Sequence, residues 1–169
     1  MKIKVFHLKK NNKLLSTNHL RKILKLKNKF WNFGLESQMN WYLKNVKKDD
    51  LHIMGFLKNK KKLCSYTLLR KRNLIYRNKK KNFFYLDTFI SEKQNNNIFN
   101  LMKFIKKCIG KKICILICEK KFEKLYYFFN FKKLNKKRFN LVDHSLGKKI
   151  LMIYNNENFK SKINIYINK

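Results

Sequence analysis

Few side chains in this sequence are of the kind that does chemistry, and their spacing narrows the options. Cys114 and Cys118 stand four residues apart, which on a strand turns both thiols to one face. A zinc site needs four convergent ligands, typically with a C-x-x-C pair, and no such spacing exists among Cys64, Cys108, Cys114 and Cys118. The cysteines read as reduced thiols acting as small apolar side chains, with no metal expected. Asp143 and His144 are neighbours in a late loop, either an acid–base couple or an ordinary hydrated turn. Asp87 is a lone carboxylate in an apolar stretch, where pairing with one of many lysines is the plain reading. Tyr126 shares a helical stripe with Phe122, Leu125 and Phe129, and such stripes are usually core. The basic segments Lys58–Lys62 and Lys79–Lys81 read as solvated loops. They are also the best places for nonspecific RNA contact, Tyr76 and Phe83 flanking the second. No Walker loop, zinc motif or nucleophile elbow is present.

Composition limits what could hold these groups. With 169 residues, 44% of them hydrophobic, the chain can bury the core of one domain and is too apolar to be a disordered tail. No stretch reaches the roughly 18 apolar residues of a membrane span, and the first ten residues lack an export signal, so a cytoplasmic protein without a membrane partner is expected. The net charge of +34 suggests a polyanion partner, but it is carried almost wholly by Lys, with Arg only at 21, 70, 72, 77 and 138. The chain has no Pro, no Ala and four Gly, and is rich in Lys, Asn, Ile, Phe and Tyr. That preference follows A/T-rich codons, so an A/T-rich genome is the simplest source of the charge. A similar Lys excess in other proteins of the same genome would bear this out, and its absence would make the charge functional. A selected nucleic-acid reader would keep more Arg, whose planar fork makes bidentate contacts that Lys cannot. Weak, salt-dependent attraction to polyanions follows in either case.

The elements come next. Ile3–Leu8 alternates as a first strand, and Asn11–Asn12 marks a turn. Ser16, Thr17 and Asn18 offer caps for a helix carrying Leu20, Ile23 and Leu24, closed at Gly34. A second helix is predicted from about Ser37 to Val46. Leu51–Leu57, Leu63–Leu69 and Phe83–Ile90 read as strands, with Arg77–Asn82 as a basic loop. Ile98, Leu101, Met102, Ile105 and Ile109 form one helical face ended by Gly110. Ile113–Cys118 is an apolar run typical of a strand buried on both faces and parallel to a neighbour. A short helix around Phe122–Phe129 follows, then strands near Phe139–Val142 and Lys149–Tyr154. Residues 1–154 are expected to be one domain, and 155–169 a polar tail able to add a short strand at Ile163–Ile167.

Several strings then carry a resemblance. Glu36-Ser37-Gln38 before Trp41-Tyr42, the stretch Lys62–Arg70, and Tyr85-Leu86-Asp87-Thr88-Phe89-Ile90 come in the right order. So do Leu101–Ile105, and Leu116-Ile117-Cys118 before Leu125-Tyr126 and Asn130-Phe131. With the element order, these resemble the GNAT family of acetyl-CoA-dependent N-acetyltransferases over roughly Phe30–Tyr154. The resemblance implies an α/β fold: a central mixed sheet of six or seven strands flanked by about four helices, with strands four and five splayed apart.

It also implies a site. Acetyl-CoA would be the cosubstrate, its pantetheine arm pairing with backbone near Phe89 and Ile90. Its diphosphate would rest on the next helix N-terminus, across Lys93, Gln94, Asn95, Asn96, Asn97 and Ile98. The family loop carries glycines where this chain has Asn96 and Ile98, so the backbone must approach phosphate in altered geometry, aided by Lys93. Asn suits left-handed backbone better than most residues; branched Ile98 does not share that advantage. Tyr126 matches a tyrosine near the coenzyme sulfur, and Asp87 lies where a general base or amine anchor would. The acceptor would be a primary amine on a small molecule or peptide, the protein a monomer or homodimer. The alternatives are a degenerate GNAT-fold binding module without coenzyme activity and a basic RNA-associated protein.

Overall fold

The computed structural model describes residues 1–6, 15–57, 62–92, 97–155, 159 and 161–168. The first elements in chain order are β1 (Lys2–Phe6), α1 (Thr17–Phe30), α2 (Leu35–Asn45), β2 (Leu51–Phe56), β3 (Leu63–Tyr76), β4 (Lys79–Ser91) and α3 (Asn97–Ile109). They are followed by β5 (Cys114–Cys118), α4 (Glu123–Phe128), β6 (Lys132–Lys133), β7 (Phe139–Leu141), β8 (Ile150–Tyr154) and β9 (Ile163–Tyr166). Hydrogen bonding orders the strands β1-β2-β3-β4-β5-β8-β6, with β9 beside β3 and β7 beside β9. The β4–β5 and β7–β9 pairings are parallel. This is the mixed α/β sheet predicted above. Among the described residues it holds nine strands rather than six or seven, because β9 and the two-residue β6 join it.

Contacts group the chain into two compact units. The first combines Met1–Arg70 with Thr88–Lys106. Here β1 pairs antiparallel with β2, and β2 with the first half of β3. Ser16 starts α1, its hydroxyl accepting from the His19 N–H at 3.3 Å. Gly34, at φ +79°, turns the chain from α1 into α2, and its N–H is held by Asn28 Oδ1 at 2.9 Å. Phe6, Ile23, Leu26, Met54, Phe56, Tyr66, Leu68 and Ile90 form one buried cluster, with Trp41 packed against it.

The second unit combines Lys71–Asp87 with Lys107–Lys169. The Arg77–Asn82 segment read as a loop is instead a two-residue turn followed directly by β4. Arg77 and Asn78 take φ +48° and +59°, the left-handed pair that a tight hairpin requires. The turn hid in the sequence because neither residue is glycine, and the strand after it hid under exposed lysines. Leu74, Phe83, Tyr85, Ile115, Leu151, Ile153, Phe159, Ile163 and Ile165 belong to one buried cluster. Beyond residue 154 the chain thus contributes apolar core as well as polar surface. Arg72, buried, donates from Nε to the Ile167 carbonyl at 2.7 Å, and Asp143 Oδ1 accepts the Ile167 N–H at 2.7 Å.

Candidate active site

The parallel strand pair sets the geometry. β5 is a CILIC run buried on nearly every position, bonded along its whole length to β8. Against β4 it keeps three registered pairs, Phe84↔Cys114, Tyr85↔Ile115 and Leu86↔Leu116. There the ladder ends, while β4 runs on to Ser91 and β5 to Cys118. Asp87, half-buried, is the first β4 residue past the last pair.

Tyr126 follows β5 by one short connection, a 3-10 turn at Lys120–Phe122 leading into α4. Its ring is buried and stands edge-on to Phe131 at 5.9 Å. Burial, with Cys118 and Cys114 close by, pushes its hydroxyl well above the ordinary tyrosine range. Tyr126 therefore keeps its proton at neutral pH and can act as a donor, not as a phenolate. The stripe expected with Phe122 and Phe129 is only half formed: Phe129 is buried and Phe122 is exposed. Asn130 ends the helix at φ +63°, an asparagine in a position where glycine is the easy choice. The Cys118 thiol is pushed up to about 11, chiefly by burial, with Glu123 and Glu119 adding to it, so it is a protonated, unreactive neighbour. Glu123, which pairs with Lys133 at 3.8 Å, and the exposed Glu119 give this region its carboxylates. The sequence reading singled out neither, since nothing local distinguishes them from other surface acids.

In the first unit, Phe89 is half-buried on β4 and the Ile90 side chain lies in the buried cluster. Past them the chain is pinned. The Glu92 N–H donates to the Cys64 carbonyl at 2.9 Å, and its carboxylate takes Lys29 at 3.2 Å and Lys62 at 3.5 Å. Lys93, Gln94, Asn95 and Asn96 lie outside the described residues. Asn97 opens α3, and Ile98 is half-buried in its first turn, which carries no carboxylate to repel an anion. Leu101, Met102, Ile105 and Ile109 are buried as their spacing predicts, and Gly110 leaves the helix at φ +59°.

The remaining sequence candidates have structural work. Asp143 accepts from the backbone of Ile167 and Asn168 at 2.7 and 2.9 Å, so it closes β9, while His144 is exposed beside it. A buried polar chain escaped the sequence reading: His52 sits with Nδ1 2.9 Å from the Tyr66 hydroxyl and Nε2 3.4 Å from the Tyr42 hydroxyl. Its members come from three elements, so only the fold brings them together. A groove of about 330 Å³ between α1 and α2 is lined by Thr17, Arg21, Leu24, Leu35, Glu36 and Met39.

This strand order, with a parallel β4–β5 pair whose ladder stops short, is the fold of the GNAT N-acetyltransferases. Among solved structures, the chain is similar to ElaA of Escherichia coli, at 15% identity, with 90% of this chain and 97% of that one covered and a TM-score of 0.62. An acyl-CoA N-acyltransferase from Pseudomonas aeruginosa aligns at 12% identity over 90% and 99% of the two chains, TM-score 0.63. A third, the GNAT family N-acetyltransferase YhbS of Escherichia coli in complex with CoA, aligns at 7% identity over 97% and 88%, TM-score 0.63. No family model matches the sequence, and no curated protein matches it either. Among the described residues, no helix is long and apolar enough to cross a membrane.

Proposed function

We propose that this chain is an N-acetyltransferase that moves an acetyl group from acetyl-CoA to a primary amine. The observation that carries the reading is the β4–β5 ladder ending at Leu86↔Leu116 within a GNAT fold, while β4 runs on to Ser91 and β5 to Cys118. The backbone at Phe89 and Ile90 pairs with the pantetheine arm. The first turn of α3, from Asn97 and Ile98, meets the diphosphate with its N–H groups, and Lys93, Gln94, Asn95 and Asn96 are proposed as further coenzyme-binding residues. In the transfer, the amine nitrogen attacks the thioester carbonyl, a C–N bond forms and the C–S bond breaks. Asp87 takes the proton released by the amine, and Tyr126 gives one to the departing thiolate. Burial keeps the Tyr126 hydroxyl protonated, so that it is present as a hydrogen-bond donor to the departing thiolate. A small-molecule or peptide amine is the acceptor, and the protein works in the cytoplasm as a monomer or homodimer.

Thermal unfolding with acetyl-CoA against ATP at equal ionic strength tests this. A ligand held only by the native state at about 100 times its Kd adds roughly 2.7 kcal/mol. A shift with acetyl-CoA that survives added salt and is absent with ATP is the expected result. Equal shifts that vanish with salt report only the basic surface, and no shift favours a GNAT-fold module that has lost its coenzyme.

A further inference from the structure

The second unit gathers its exposed arginines at one place. Of the five Arg in the chain, Arg70 and Arg72 are buried, and Arg21 lies on α1. The other two, Arg77 and Arg138, are exposed and come from distant segments. The strand registers bring them together. β3 pairs antiparallel with β9 through Ile75↔Asn164, and β7 pairs parallel with β9 from Phe139↔Ile163. The residues just past those pairs therefore share one end of the sheet: the Arg77–Asn78 turn with Lys79, then Lys162, then Lys136, Lys137 and Arg138. All six cations are exposed, and segments 71–82 and 132–142 contain no carboxylate. Neighbouring strands lie about 4.8 Å apart, so β3, β9 and β7 set these charges across roughly 10 Å.

Two of the groups are held in place. The Arg77 guanidinium lies 5.3 Å from the centre of the Tyr76 ring, and Tyr76 is itself braced edge-on by Phe159 at 4.9 Å. Asn135 caps the turn bearing Lys136–Arg138, its Oδ1 accepting from the Lys137 N–H at 3.0 Å. From this tip the outward sheet face carries amides beside Ile75 and Tyr166. Asn140 and Asn164 are registered partners whose side chains meet at 3.4 Å, and Asn73 is registered with Tyr166.

We propose that this tip and the amide face beside it bind single-stranded RNA. Codon drift explains lysine spread over the whole surface. It does not explain two arginines placed together by the fold, and Arg is the cation suited to phosphate. A phosphodiester chain matches a carboxylate-free row of cations. The asparagines can each donate to and accept from ribose 2′-hydroxyls, which DNA lacks. A membrane surface fits less well, since none of the exposed large apolar side chains belongs to segments 76–82, 135–139 or 161–164. This reading is independent of acetyl transfer.

The test compares two four-charge variants: R77Q/K79Q/R138Q/K162Q at the tip, and K25Q/K44Q/K48Q/K103Q at exposed positions elsewhere. The probe is an unstructured RNA of about a dozen nucleotides, with DNA of the same sequence and polyglutamate of equal charge as comparisons. The tip variant is expected to lose about tenfold or more in RNA affinity and to flatten the salt dependence by roughly 3 log units per log unit of salt, while the control loses less than about threefold. Equal losses in both variants overturn the proposal, as does DNA or polyglutamate binding as tightly as RNA. Ultraviolet crosslinking of the unmodified protein gives a second readout that needs no variant to fold. Crosslinks in 76–82, 135–140 and 161–166 are expected, and crosslinks confined to residues before 71 refute it.

Discussion

Replacing Tyr126 by Phe removes one oxygen and leaves the edge-on packing against Phe131 in place. If the hydroxyl protonates the leaving thiolate, turnover falls about 100-fold, the usual scale for a positioned acid. The melting temperature moves only by the equivalent of about 1 kcal/mol, the net worth of one buried hydroxyl bond. Steady-state kinetics beside a thermal melt separates the two readings, since a lost melt with an unchanged rate makes Tyr126 a core residue. At this scale the sequence was partly legible. Tyr126 and Asp87 were visible as candidates because strings around them matched a known order. The hydrogen bonds of His52, Arg72 and Asp143 were not legible, because their partners Tyr66, Ile167 and Asn168 are distant in sequence and nothing local signals the pairing.

The elements were legible where local chemistry announces itself. Ser16 capped its helix as expected, Gly110 ended α3, and the apolar run at Cys114–Cys118 became the doubly buried strand. They were illegible at the Arg77–Asn78 turn, where no glycine marks the left-handed backbone. Asn78, Asn130 and Asn155 all take positive φ, at +59°, +63° and +55°. Asn tolerates that region better than most residues but still pays a steric cost that glycine avoids. Asn78→Gly and Asn130→Gly are therefore each expected to stabilise the protein by up to about 1 kcal/mol, after the added flexibility of the unfolded chain is deducted. Urea unfolding midpoints measure this. A midpoint lowered by Asn130→Gly would mean that the Asn130 side chain holds the turn through bonds of its own.

For the molecule as a whole, 43 basic residues face 9 acidic ones, so few surface ion pairs can form and cohesion must come from burial. Residues past 155 show how much. Phe159, Ile163, Ile165 and Ile167 are each at most 4% exposed. Burying a large apolar side chain contributes about 1.5–3 kcal/mol, so four contribute roughly 6–12 kcal/mol, comparable to the entire stability of an ordinary domain. Truncation after Asn155 is expected to abolish the near-ultraviolet circular dichroism of the second unit and to send the protein into aggregates. A truncated chain that still melts cooperatively would show that β9 is dispensable.

The placement of β9 also orders events during synthesis. Residues of the first unit are all polymerised by Lys106, whereas the second needs Ile163–Ile167 to complete its core and to bond Arg72 and Asp143. At about 5–20 residues per second, a ribosome takes roughly 3–12 s to cover that distance. For those seconds the second half of β3 has emerged without the strand that will lie beside it, and its open edge is exposed to whatever chaperone or neighbouring nascent chain reaches it first.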